Sequence, residues 1–471
     1  MSRWSRTRTT GANQGAPTGP PVTIRQTFED RHPGSRELAE RAADIFPSGV
    51  THDIRSFEPF PIYVARAQGP RKTDVDGNEY VDYIGGHGAL LLGHNHPEVM
   101  AAIRAALEDG THFGSSQARE LEWGELVLRM APCAERVRFT SSGTEATMMA
   151  LRLARAFSGR NRVIKLADHF HGWHDLAVGQ LRESETRASA AGVPPGFYED
   201  LTIVPQGDLE ALEQALAPRD VAAMILEPTG AHWGLHPLPA DYLRAARELT
   251  EQTGTLLIMD EVITGFRMAP GGAQERFGVT ADLASYAKIL AGGLPGGCVA
   301  GREDVVSMLE FREGDEVWNR RLRVPHQGTY NAQPPAAAAG IAALRIIEAG
   351  GQTERADATT AALVRGLNAL FADRAVPGSA FAVSSMWHLN LGHDGPRPSD
   401  VEWDAAEEAR GVDPALLVPL RQALLNHGVD LMGAGGMVSA THGEAEVEDT
   451  LAAFDAAIAD LRAEGLLGSG G

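Results

Sequence analysis

The chain has 471 residues, 43% hydrophobic and 22% charged, enough to bury a large core in two or three domains. Its formal net charge of -20 argues against a nucleic-acid partner, which would need clustered Lys and Arg. No apolar run is long enough for a membrane span, and two cysteines, Cys133 and Cys298, form neither a disulfide framework nor a zinc pattern, so a cytoplasmic protein is expected.

Residues 1–22 are rich in Arg, Ser and Thr, then Gly and Pro, and are expected to be a disordered tail. An amphipathic helix is expected over Glu37–Phe46, stopped by Pro47 and Gly49. Short β pieces follow at Ile62–Ala65, Lys72–Asp74 and Tyr80–Tyr83, with Asp76-Gly77 as a hairpin turn. Pro97 opens a helix that runs through Leu107. Strands are then expected at Arg136–Thr140, Arg162–Leu166, Ala222–Leu226 and Thr255–Met259. Helices near Thr144–Ser158, Leu209–Leu216 and Ala240–Thr253 separate them. This alternation predicts an α/β fold with a mostly parallel sheet, whose ligand site lies beyond the carboxyl ends of the strands. Thr140, Glu227, Asp260 and Glu261 fall at those ends.

An alanine-rich helix over Pro335–Ile347 ends at Gly350-Gly351, a domain boundary. Beyond it come a helix near Thr359–Phe371, a strand near Phe381–Leu391, and helices around Pro414–Leu425 and Val447–Arg462. The expected division is a segment at 23–84 that joins the small domain, a large domain over 85–348, and a small α+β domain over 349–471.

Several segments carry chemistry. Ser141-Ser142-Gly143-Thr144-Glu145 follows a strand and opens a helix, whose unpaired N–H groups suit a phosphate; an ordinary Ser/Thr N-cap is the plainer reading of that segment alone. Asp168-His169-Phe170-His171-Gly172-Trp173-His174 can offer an aromatic face to a planar ring, or be a surface histidine cluster; no metal is expected there. Asp260 ends an apolar strand, and Lys288 sits in a turn of small residues closed by Gly292-Gly293. A Schiff-base lysine and a carboxylate for the pyridine nitrogen are what an enzyme using pyridoxal phosphate needs.

Together these segments resemble the class III aminotransferases, the fold-type I pyridoxal-phosphate family, and within it the glutamate-1-semialdehyde 2,1-aminomutases. The likeness runs from about Phe46 onward and is densest from Gly85 to Gly301, with Met259-Asp260-Glu261-Val262-Ile263-Thr264-Gly265-Phe266-Arg267 matching almost throughout. It implies a large domain with a mostly parallel seven-stranded sheet, a smaller α+β domain, and pyridoxal 5'-phosphate as cofactor. Lys288 falls on the Schiff-base lysine and Asp260 on its acid. Ser142, Gly143 and Thr144 fall on the phosphate segment, Phe170 and His171 on the ring-stacking segment, and Glu227 and Val262 among the other cofactor contacts. Thr329 falls on the threonine that reaches the neighbouring subunit's cofactor, which implies a homodimer.

On the substrate side the chain departs from the mutases. Arg55 is kept as a carboxylate-binding residue, but the residues before it change, and His232 stands where the mutases carry asparagine. Ala190-Ala191-Gly192-Val193-Pro194 replaces the mutase gate signature, and Ala434 replaces an acidic residue. A mutase must hold its intermediate behind a closed gate, whereas an aminotransferase releases a keto product and admits a second substrate. The expected activity is therefore amino transfer from a carboxylate-bearing amino acid to a keto acid, with the aminomutase as the alternative. A decarboxylase, a racemase and a non-catalytic regulator are the other readings considered.

Overall fold

The computed structural model describes residues 23–180, 188–393 and 411–468. The tail expected over 1–22 lies outside the described residues. Two helices come first, Ile24–Arg31 and Pro33–Ala43. The second starts and ends earlier than the expected Glu37–Phe46, because Pro33 takes the first helical position that proline favours. Strands β1 (Val64–Gln68), β2 (Arg71–Asp74) and β3 (Glu79–Asp82) then form an antiparallel set.

The central sheet is built from β4 (Arg136–Thr140), β5 (Arg162–Leu166), β6 (Leu201–Val204), β7 (Val221–Leu226), β8 (Leu256–Asp260), β9 (Leu283–Ala287) and β10 (Gly297–Gly301). Its spatial order is β4-β10-β9-β8-β7-β5-β6, and within it β10 alone runs against its neighbours. Every residue of β7 to β10 is buried, as expected of a parallel sheet covered on both faces. The expected α/β class and seven-stranded sheet are therefore observed.

Glycine makes the β10 pairing possible. A side chain at Gly297 would meet the Ser142 carbonyl at 2.5 Å, and one at Gly301 would meet the Asp282 carbonyl at 2.3 Å. The helix Ala118–Met130, which the sequence reading had not picked out, buries Trp123, Leu126, Val127 and Met130 on one face. Trp123 stacks on Phe139 at 4.1 Å between ring centroids, and its indole N–H donates to the Leu290 carbonyl at 3.0 Å. That bond ties the core to the turn that carries Lys288.

The strand expected near Phe381–Leu391 is a hairpin instead: β11 (Gly378–Val383) and β12 (Met386–Leu391), joined through Ser384 in the left-handed region. Two short strands follow, β13 (Val429–Asp430) and β14 (Gly435–Met437). β14 pairs with β12, and β13 pairs parallel to β3, so the N-terminal strands share a sheet with the C-terminal segment. Among the described residues no helix is long and apolar enough to cross a membrane.

Candidate active site

The carboxyl edge of the central sheet gathers the candidate residues. β8 ends at Asp260 and the neighbouring β9 ends just before Lys288, so parallel pairing brings the acid and the amine to one edge. Asp260 is 6% exposed. Its Oδ2 meets His171 Nδ1 at 2.8 Å, and its Oδ1 accepts from the Val262 N–H and the Ser285 hydroxyl, each at 3.1 Å. Three partners fix the carboxylate in place. Lys288 has a left-handed backbone (φ 53°) in the turn Lys288–Ala291. Burial lowers its amine below the ordinary lysine value, partly opposed by the attraction of Asp260.

The helix Gly143–Ser158 starts beside them. Ser142 is its N-cap, accepting from the Glu145 N–H at 3.2 Å, while Glu145 reaches back to the Ser141 N–H at 2.6 Å. The capping reading of this segment is thus correct for the Ser142 side chain. The N–H groups of Gly143 and Thr144, first in the helix, have no intrahelical acceptor. A side chain on Gly143 would press both Val262 methyls at 2.9 Å, and one on Gly172 would strike the Thr144 hydroxyl at 2.6 Å. Small residues here leave room against the helix start.

The histidine segment is neither a surface cluster nor uniform in role. His169 and His171 are buried. His169 Nδ1 accepts from the Glu227 N–H, and its Nε2–H is left to donate to Gln206, both at 2.8 Å. That clamps the end of β7. His171 takes Asp260, and its Nε2 is buried with no partner among the described residues. Glu227 accepts from the Phe170 and Trp233 N–H groups at 2.7 and 3.2 Å. Burial pushes its carboxyl up to about 8. Phe170 therefore hangs its backbone on Glu227 while the residue as a whole is 63% exposed.

The remaining candidates are looser. Arg55 is exposed and donates to the Thr51 hydroxyl at 2.9 Å. His232 is exposed on a left-handed turn with Trp233. Thr329 is exposed too; its carbonyl faces His112, and Asn331, two residues on, accepts from the Ser141 hydroxyl at 3.4 Å. Ala190–Pro194 follows the bridge between Gln180 and Ser189.

Sequence reasoning had not singled out three residues that the fold brings here. Ser285 holds Asp260. Arg267, fully buried, donates to the Gly88 carbonyl at 2.5 Å and to Ser385 at 3.2 Å. His87 lies in the turn Gly85-Gly86-His87-Gly88, and the glycines around it were its available signal.

These features fit pyridoxal phosphate. An acceptor carboxylate suits a pyridine N–H, a half-buried amine suits an aldehyde, and open helix N–H groups beside Gly143 suit a phosphate. The fold is of the transaminase class. The chain belongs to the class-III aminotransferases, whose family model matches residues 54–411. It is 36% identical over 427 residues to the glutamate-1-semialdehyde 2,1-aminomutase of Methanothrix thermoacetophila, covering 89% of this chain and 95% of that one. An omega-transaminase from Sphaerobacter thermophilus is similar in structure, with a TM-score of 0.81 and 31% identity over 92% of this chain and 99% of that one. A β-phenylalanine aminotransferase from Variovorax paradoxus has the same TM-score at 29% identity, over 95% and 98%.

Proposed function

We propose that the protein transfers an amino group from a carboxylate-bearing amino acid to a keto acid. Its cofactor is pyridoxal 5'-phosphate. The observation that carries the reading is the half-buried amine of Lys288, lowered by burial, at the same sheet edge as the fixed carboxylate of Asp260 and within its electrostatic reach. When bound, the cofactor's ring draws electrons from the substrate carbon that bears the amino group. Lys288 is its attachment point and moves the proton at that carbon, and its lowered pKa keeps more of it as free base near neutral pH. Asp260 holds the proton on the pyridine nitrogen, and His171 keeps Asp260 oriented. Ser142, Gly143 and Thr144 receive the phosphate; Val262, Phe170, His171 and Glu227 border the ring. Arg55 takes the substrate carboxylate, with His232 beside the substrate.

The working unit in this reading is a cytoplasmic homodimer in which Thr329 reaches the neighbouring phosphate. Exposed apolar side chains on the segments around it, Phe311, Val317, Leu322 and Tyr330, would be covered by a second copy. The proposed domain division, 23–84 with 349–471 against 85–348, rests on the β3–β13 pairing and on the glycine pair between the helices Pro334–Glu348 and Gln352–Asp373.

The second reading is the aminomutase, favoured by the names of the relatives at 36% identity. A single-turnover spectral assay separates the two. The loaded enzyme is mixed with α-, β- and ω-amino acids and with glutamate-1-semialdehyde, and cofactor absorbance and product are followed. Conversion by amino donors with release of a keto product is expected. Turnover of the semialdehyde alone, to 5-aminolevulinate, would establish the mutase instead.

The phosphate assignment has its own test. Gly143→Ala should weaken cofactor binding about ten- to a hundredfold, because the added methyl overpacks against Val262 at the helix start. Fluorescence titration of the apoprotein reads this directly, and unchanged affinity would move the phosphate elsewhere.

A further inference from the structure

The turn Gly85–Gly88 is left-handed throughout, with φ of 49°, 61°, 56° and 83°, and His87 is the residue in it that bears a side chain. Such a backbone costs about 1–3 kcal/mol at a non-glycine residue and persists where the surroundings over-determine it. Here they do. The Asp82 carboxylate accepts from the Ile84 and Gly85 N–H groups at 3.0 and 3.2 Å, and is itself held by Lys72 at 2.8 Å and His94 at 2.7 Å. Arg267 grips the Gly88 carbonyl from the segment that follows Asp260. The strain is spent on aiming one imidazole.

That imidazole stacks on His52, with ring centroids 5.1 Å apart and planes 11° apart. His52 Nδ1 accepts from the Ile54 N–H at 3.2 Å, so in the neutral ring its Nε2 carries the proton and is left as a donor. Among the described residues neither ring nitrogen of His87 has a hydrogen-bond partner, although the ring is half-buried. His87 feels the charges of Arg55, Lys288 and Lys72. It therefore lies within electrostatic reach of both the proposed carboxylate residue and the proposed attachment lysine. Burial first, and those cations second, push it down to about 4, so the ring is neutral at physiological pH.

We infer that His52 and His87 form a hydrogen-bonding subsite for the substrate's side chain, and that the preferred amino acid carries an uncharged polar group, a hydroxyl, on that chain. The inference rests on the proposed amino transfer, with Arg55 at the carboxylate. An apolar side chain would bury the His87 nitrogens unsatisfied, which is costly. A second carboxylate would find no opposite charge on the His87 ring. A hydroxyl can accept from the His52 Nε2–H or the His87 N–H and donate to the bare His87 nitrogen, which no other single uncharged group of that size does.

The test uses isosteric pairs: homoserine against norvaline, and 3-amino-5-hydroxypentanoate against 3-aminohexanoate. The rate constant for cofactor conversion is measured with loaded wild type, His87→Phe and His87→Asn. Calorimetry on the same proteins compares 2,4-dihydroxybutanoate with 2-hydroxypentanoate, which bind without an amino group to transfer. The wild type should favour the hydroxyl member tenfold or more in conversion of at least one pair and in binding. His87→Phe, which keeps a flat ring but no nitrogen, should abolish that preference, while His87→Asn keeps part of it. Should His87→Phe fail to fold, as judged by circular dichroism and cofactor absorbance, His52→Phe removes the donor and reads the same ratio. Equal affinity for both hydroxy acids in the wild type, or a preference that survives the Phe variants, overturns the subsite. If no amino acid converts the cofactor but the hydroxy-acid preference is present and sensitive to His87, the subsite stands and the amino-transfer reading fails.

Discussion

Lys288→Ala should fold, retain cofactor without a covalent bond, and turn over on the order of 10²–10⁴-fold more slowly, the range expected when a positioned proton-transfer group is lost. The backbone argument favours folding. Residue 288 is already in the left-handed region at φ 53°, so alanine inherits a strain that lysine bears too. The charge argument goes further. The unfolded lysine holds its proton up to the ordinary value of 10.5, whereas the folded one releases it earlier, since burial lowers its pKa. The unfolded state therefore binds more protons, and this group's contribution to stability rises with pH. Its burden on the fold is absent above 10.5, accrues as pH falls from 10.5 toward the lowered value, and is full below it. Apo Lys288→Ala should then melt no lower than apo wild type at pH 7, with a margin that grows from pH 10 to pH 7. Thermal melts across that range test the stability half. Borohydride treatment followed by mass analysis tests the chemistry: wild type should fix cofactor on the chain and the variant should not. Equal fixation would remove Lys288 from its role.

How much of this was readable from the residues depended on whether the information was local. The strands Arg136–Thr140 and Arg162–Leu166 and the helix Ala240–Thr253 were read to their observed limits, because apolar periodicity and end signals lie within each segment. β9 and β10 escaped. Leu283–Ala287 and Gly297–Gly301 are built of Ala, Gly, Ser and Cys with few large side chains, and are buried on both faces, so no alternation marks them. Their small residues are dictated by neighbours far away in the chain, such as the Ser142 and Asp282 carbonyls. The 381–391 hairpin was read as one strand because Ser384-Ser385 lacks the usual glycine or asparagine. The helix Ala118–Met130 has the right spacing at Trp123, Leu126, Val127 and Met130, but exposed Leu121 and Leu128 blur its stripe.

The same division holds in the site. Lys288 and Asp260 stand in distinctive local segments and could be paired from the residues alone. The bond from Asp260 to His171 spans 89 residues, and the stack of His52 on His87 depends on a turn held by Lys72, His94 and Arg267. No local pattern encodes those contacts. Even so, three glycines around one histidine mark a backbone that glycine normally supplies, a physical signal that can be sought in other chains.

Asp260→Asn should cost on the order of 10²–10³-fold in turnover, the scale of removing one preorganised electrostatic partner, while leaving the fold intact. The amide oxygen can still accept from the Val262 N–H and the Ser285 hydroxyl. Its NH₂ faces His171 Nδ1, and a change of tautomer lets that nitrogen accept, with the proton moved to the unpartnered Nε2. The shape survives and the charge does not. With Asp260 as the proposed partner of the pyridine nitrogen, loss of its charge should slow conversion by amino donors while cofactor remains attached. A second consequence has a definite sign. Asp260 raises the Lys288 pKa by stabilising its ammonium form. In Asp260→Asn the ammonium loses that support, and the pKa should fall further below 10.5. The rate at which apoprotein captures added cofactor, followed by absorbance against pH, should then reach its plateau at lower pH in the variant than in wild type. A shift to higher pH would mean that Asp260 does not act on Lys288 as a fixed negative charge. Slow turnover with an unshifted capture profile would instead confine its effect to the cofactor ring.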